Sequence, residues 1–132
     1  MKFARYTFLI AGIYGLIVLV PHYFMERILS ADHPPAITHP EFFYGFIGIA
    51  SAFQIVFLII AKDPVRYRLM IIPSILEKLT FGIAALVLFW NGRLEGGFFY
   101  GALIDLFLGL LFIVSWFKLS AAERSSSQNP RP

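Results

Sequence analysis

Apolar residues in this chain fall into four long runs, with most of the polar residues in the gaps between them. The runs are Tyr6 to Phe24, Phe42 to Ala61, Leu69 to Trp90 and Gly97 to Phe117. A helix rises about 1.5 Å per residue, so about 20 apolar residues match about 30 Å of bilayer hydrocarbon. Lipid offers the backbone no hydrogen bonds, so runs of this length read as helices. The first two runs hold no charged residue; Glu77 and Lys78 interrupt the third and Asp105 the fourth. The pattern predicts an all-α fold, a four-helix transmembrane bundle running up-down-up-down within residues 1–119.

Boundary signals refine these limits. Asp63-Pro64 places a capping carboxylate before a proline, which predicts that the third helix starts ahead of its apolar run. Asn91-Gly92 suits a helix stop after Trp90. The connection from Met25 to Glu41 contains Pro34, Pro35 and Pro40 and is expected to be extended, with no helix of its own. Residues 120–132 end in a Ser-, Gln-, Asn- and Pro-rich stretch from Ser125 and are expected to form a disordered cytoplasmic tail. Lys2 and Arg5 ahead of an apolar run resemble a signal peptide. The run ends in Pro21-His22-Tyr23-Phe24 without a small-x-small cleavage site, so it reads as a retained first helix.

Basic residues set the orientation. Lys2, Arg5, Lys62, Arg66, Arg68, Lys118, Arg124 and Arg131 fall on one side of the four spans, and only Arg27 and Arg93 on the other. The positive-inside rule places both termini in the cytoplasm, with the chain in the inner (plasma) membrane as a multi-pass protein.

Composition agrees. Of 132 residues, 58% are apolar and 14% charged, against about 45–50% and about 25% in soluble domains. A soluble protein this small has too little interior for that apolar surface. The net charge of +3 follows the loop asymmetry, and no nucleic-acid partner is expected. The absence of cysteine excludes disulfides and thiolate metal sites.

Candidate chemistry lies where polar groups sit deep in the apolar runs. Glu77 is roughly 4–5 Å from the centre of its run, Asp105 roughly 3 Å and Gln54 roughly 4 Å. An isolated ionised group at such depth costs at least about 2.5–3.5 kcal/mol, so these groups are expected to face the bundle interior and pair. Gly101, Asp105 and Gly109 share a face with Ala102 alongside, which predicts burial of Asp105 against neighbours. Gly45, Gly48 and Ala52 form a comparable stripe near Gln54, and Ala11, Gly12 and Gly15 a third. Lys78, in line with Ser74, Gly82 and Ala85, is expected to bond Asp105. Glu77 points about 100° away and is expected to turn toward Gln54 or the first span, with Pro73 kinking the helix toward the cluster. This cluster is either structural glue between helices or a ligand, substrate or proton site.

His22, His33 and His39 with Glu26, Asp32 and Glu41 offer metal-ligating groups, but their spacing matches no ligand motif. His22, at the end of the first span, is the one placed at the mouth of a bundle cavity. No phosphate loop, dinucleotide fingerprint or nucleophile elbow occurs, so no catalytic residue, metal or cofactor is expected.

The stretch Tyr44-Gly45-Phe46-Ile47-Gly48 through Gln54, then Glu77-Lys78, then Leu103-Ile104-Asp105-Leu106, resembles the DoxX-like set of small four-helix bacterial membrane proteins. That set often carries an acid in the second span, where this chain has Gln54. The resemblance implies quinone or respiratory partners, as in some members. The leading expectation is an accessory or binding subunit that holds a lipid-like or quinone-like molecule, or a partner helix, beside the polar cluster. The alternatives are an oligomeric channel or proton-coupled transporter using Glu77 or Asp105, and a membrane enzyme acting on an apolar substrate. A membrane-protein partner or a homo-oligomer fits the first two. The enzyme ranks last because neither acid has a recognisable partner set.

Overall fold

The computed structural model describes residues 1–128. Among the described residues there are five α-helices: α1 (Lys2–His22), α2 (Glu26–Asp32), α3 (Pro40–Lys62), α4 (Ile71–Trp90) and α5 (Gly96–Gln128). No strand occurs among the described residues. Among the described residues, four helices are long and apolar enough to cross a membrane: α1, α3, α5, and α4 with the 3₁₀ turn Arg68–Met70 that leads into it. The all-α, four-span reading therefore holds.

Contacts between helix ends give the topology. Arg5 Nη2 near the start of α1 donates to the Lys62 carbonyl at the end of α3, at 3.3 Å. Tyr23, just past α1, meets Tyr44 near the start of α3 with ring centroids 5.0 Å apart. Phe89 near the end of α4 stacks on Phe99 near the start of α5 at 4.1 Å. Lys118 Nζ of α5 lies 4.4 Å from the Phe3 ring of α1. Sequential long helices are thus antiparallel, up-down-up-down. Lys2, Arg5, Lys62, Arg66, Arg68, Lys118 and Arg124 gather at one end, the basic end.

Packing is uneven along the bundle. Toward the basic end, Ala4, Phe8, Ala11, Phe57, Ile60, Ile71, Phe112 and Leu119 form a dry core. Phe8 stacks on Phe112 at 4.2 Å, and Phe57 meets Phe112 edge-on at 4.9 Å. Aromatic pairs in such geometries contribute about 0.5–1.5 kcal/mol beyond the area they bury. The small face of α1 works as expected. Ala11, Gly12 and Gly15 are buried, and a Cβ on Gly12 would come within 2.9 Å of the Gln54 carbonyl oxygen of α3.

Several boundaries differ from the sequence reading, each for a physical reason. Glu26–Asp32 forms a helix: all the prolines of the connection come later, and Glu26 suits the positive end of the helix dipole. Asp63 caps a turn, its Oδ1 accepting the Arg66 N–H at 3.1 Å, and α4 proper starts at Ile71. Pro73 is therefore the third residue of α4, where a missing N–H costs little. The fourth helix continues to Gln128, so residues 120–128 are helical where disorder was expected; residues 129–132 lie outside the described residues. Nothing after Phe117 breaks the helix, Leu119 is buried, and Glu123 pairs with Arg68. The stop after Trp90 is as expected, with Gly92 at φ 69° supplying the left-handed turn.

Candidate functional site

Away from the basic end the helices part around a cavity of about 970 Å³, at the upper end of the range for small-molecule sites. Its walls come from the second half of α1, the first halves of α3 and α5, and the middle of α4. Leu29 and His33, which bracket the last turn of α2, and Ile37 beyond it also line it, so α2 lies across the outer end. The lining is mainly apolar, with Tyr14, Val18, Leu19, Phe43, Phe46, Ile47, Ile49 and Phe81 among its members. All four expected deep polar residues, Gln54, Glu77, Lys78 and Asp105, line it as well, and so does His22.

Lys78 anchors the polar side. It follows Ser74 and precedes Gly82 and Ala85 on one face of α4, all four buried. Its Nζ donates to Asp105 Oδ1 at 3.0 Å and lies 3.3 Å from Glu77 Oε2. The same ammonium stands 5.3 Å from the centre of the Phe57 ring, so the polar cluster abuts the dry core at Phe57. One ammonium faces two carboxyls where little water reaches: the side chains are 5% exposed for Lys78, 16% for Glu77 and 17% for Asp105. In such surroundings ion pairing is strong, and removing one partner is expensive.

The bond from Lys78 to Asp105 is as expected from the sequence. Glu77 differs: its carboxyl turns to Lys78, and the ion pair with that ammonium is the contact its Oε2 makes among the described residues. Two long side chains starting about 100° apart bend together because the charge attraction outweighs the rotamer cost. Gln54, fully buried, donates through Nε2 to the Ala50 carbonyl at 2.9 Å. Its Oε1 has no donor among the described residues. Turning the amide over would set Oε1 against the Ala50 carbonyl oxygen, so the orientation is fixed by that bond. Oε1 lies over Gly15, where a Cβ would overlap it.

Two small-residue faces depart from expectation. Gly109 is buried against Lys78 and Leu79, but a Cβ on Gly101 would meet nothing within 4 Å, because this part of the α5 face borders the cavity. Gly45 and Gly48 face open space, and with Ala52 they lie on the exposed side of α3. Small residues alone do not reveal which helix face finds a partner.

The histidines do not converge. His22 Nδ1 sits 2.6 Å from the Val18 carbonyl, His33 Nδ1 3.2 Å from Glu95 Oε2, and His39 Nδ1 3.0 Å from Glu41 Oε1. Among the described residues no three His, Asp or Glu side chains come together as metal ligands. A second, smaller cleft of about 510 Å³ lies beside Tyr23, Phe24, Glu26, Arg27 and Tyr44, away from the deep acids. There Tyr44 donates its hydroxyl to Glu26 Oε2 at 2.5 Å, tying α3 to α2.

No family model, curated protein or solved structure matches the chain. The site is therefore judged on its geometry. Sequence reasoning missed the place of α2 at the cavity wall and that of Phe57 beside Lys78. Leu29 and Ile37, apolar residues in a polar connection, were the available signal for the first. Phe57 has no signal of its own among 15 Phe.

Proposed function

We propose that this protein is a multi-pass protein of the inner (plasma) membrane, with its basic end and both termini cytoplasmic, that binds a lipid-like or quinone-like molecule between its helices. The carrying observation is a cavity with mainly apolar walls and a compact polar cluster on one side. That distribution matches an amphiphile with its chain among the phenylalanines and its head beside Asp105, Glu77 and Lys78. The outward surfaces of the long helices carry residues such as Ile10, Ile17, Leu76, Ile83 and Phe107, all exposed, an apolar exterior that suits hydrocarbon. The resemblance to DoxX-like proteins supports the same reading, since the residues that carry it, from Tyr44 to Asp105, include the four polar ones. The dry aromatic core closes the basic end of the cavity, which favours binding over conduction.

The test is lipid co-purification. Gly101→Phe places a ring on the cavity wall of α5, at a position where a Cβ meets nothing within 4 Å. Mass spectrometry of protein extracted in mild detergent should find a discrete amphiphile on the wild type and lose it with Gly101→Phe. Identical lipid complements on both proteins would end the proposal.

A further inference from the structure

Charge is left unmatched well away from the cavity. Among the described residues, seven Lys and Arg side chains at the basic end stand against two acids, Asp63 and Glu123. At the other end Arg27 and Arg93 stand against four, Glu26, Asp32, Glu41 and Glu95. Within the basic end, two places differ in how that excess is met. Beside α4 and α5 it is met internally: Glu123 pairs with Arg68, whose guanidinium also lies 5.0 Å from the centre of the Trp116 ring. At the seam between α1 and α3 it is not. Arg5 Nη2 donates to the Lys62 carbonyl at 3.3 Å, which brings two basic residues together. Both are exposed, and neither forms an ion pair among the described residues. Asp63, next to Lys62, turns its Oδ1 to the Arg66 N–H at 3.1 Å. Apolar surface leads up to the seam on both helices. Ile55, Ile59 and Lys62 share one exposed face of α3, and Lys2, Tyr6 and Ile10 share one of α1.

We infer that the α1–α3 seam holds the phosphate of an anionic phospholipid in the adjoining leaflet, with Arg5 and Lys62 flanking it and the acyl chains along those two faces. The lipid does for this seam what Glu123 does beside α4 and α5. The apolar faces below the cations favour a lipid over a free anion. A zwitterionic head would bring a cation of its own to a place already in excess, whereas attraction of an anionic head to one Lys or Arg at the membrane surface amounts to about fivefold in binding. The inference rests on the membrane placement proposed above and is independent of the cavity, whose lining includes neither Arg5 nor Lys62.

The full chain in phosphatidylcholine vesicles supplies the test. Tyr6, 59% exposed, is the place for a reporter beside the seam: Tyr6→Trp, with Trp90→Phe and Trp116→Phe, leaves one tryptophan. Its quenching by brominated phosphatidylglycerol and by brominated phosphatidylcholine should show the anionic lipid favoured about fivefold. Trp90, exposed at the other end and left alone by Trp116→Phe, should show no such preference. Arg5→Gln with Lys62→Gln should bring the ratio at position 6 close to one, and Arg5→Lys should keep it. Equal quenching by the two lipids at position 6 overturns the inference. So does the same preference at both ends, or a Gln double variant that retains it. Displacement by inorganic phosphate beyond that by chloride at equal ionic strength would mean a free-anion site and also overturns it. Quenching by neither lipid would remove the membrane placement as well. The comparison of the two tryptophans needs neither charge variant, so the inference stays testable even if those do not fold.

Discussion

The two halves of this bundle use the same four helices in opposite ways. Toward the basic end, Phe8, Phe57 and Phe112 fill the axis with ring against ring. Toward the other end, α3 and α4 diverge around a cavity of about 970 Å³, and the short α2 lies across it. Both halves have apolar exteriors, so the difference is one of interior volume alone. Between helices in lipid there is little hydrophobic gain to be had, and close contact supplies the cohesion. The filled half therefore holds the fold together, which leaves the hollow half free to accommodate a guest. Lys78 stands at the boundary, with Phe57 on one side and Asp105 on the other.

The largest effect should come at that boundary. Lys78→Met leaves two buried carboxyls without their cation and should destabilise the bundle by about 3 kcal/mol or more. Adding Asp105→Leu should recover part of this loss, and adding Glu77→Gln more, in denaturation of the detergent-solubilised protein. A double variant as unstable as the sum of its parts would show that the three residues do not act as a unit.

Next in size is the filled half. Phe112→Ala removes the ring shared by both close aromatic pairs. It should cost about 2 kcal/mol, below the about 3–5 kcal/mol of a water-soluble core, because transfer out of water is absent from the balance between helices in lipid. Phe81→Ala, on the cavity wall, should stay within about 0.5 kcal/mol. Equal losses at the two sites would erase the contrast between the halves.

A smaller pair of changes sharpens it. A Cβ on Gly12 presses on the Gln54 carbonyl oxygen and on Leu58, at 2.9 and 2.8 Å. Gly12→Ala should therefore push α1 from α3 and cost about 1–3 kcal/mol. A Cβ on Gly15 overlaps the Gln54 side chain at Oε1 and Cδ, so the amide must give up its bond to Ala50. Gly15→Ala should cost about 1 kcal/mol, the worth of that bond, and weaken amphiphile binding. Thermal unfolding and lipid co-purification, read together, separate the two. Matching losses of stability would mean that α1 and α3 respond as one rigid pair.

How much of this was legible beforehand depends on the kind of signal. Four spans, the stop at Asn91-Gly92 and the bond from Lys78 to Asp105 follow from local rules: long apolar runs, a left-handed glycine, and small neighbours around a deep ion pair. Glu77 escaped because a flexible side chain can cross the angle its backbone position sets. The cavity escaped because helical periodicity tells which face is apolar, not how far apart two such faces stand. Gly101 and Gly109 lie eight residues apart on one face, yet one borders open volume and the other touches Lys78. The α2 helix was hidden by prolines that follow it, and the continuation of α5 by serines that tolerate helix when their hydroxyls bond back to carbonyls four residues earlier, as Ser125 and Ser127 do.

The length of α5 reaches past the membrane itself. At 33 residues it measures about 50 Å, against about 30 Å of hydrocarbon. Its last turns must stand in water as a rigid post, and the pairing of Glu123 with Arg68 braces that post at its foot against the turn before α4. A label attached at Ser125 would report, from the aqueous phase, any tilting of α5 relative to α4.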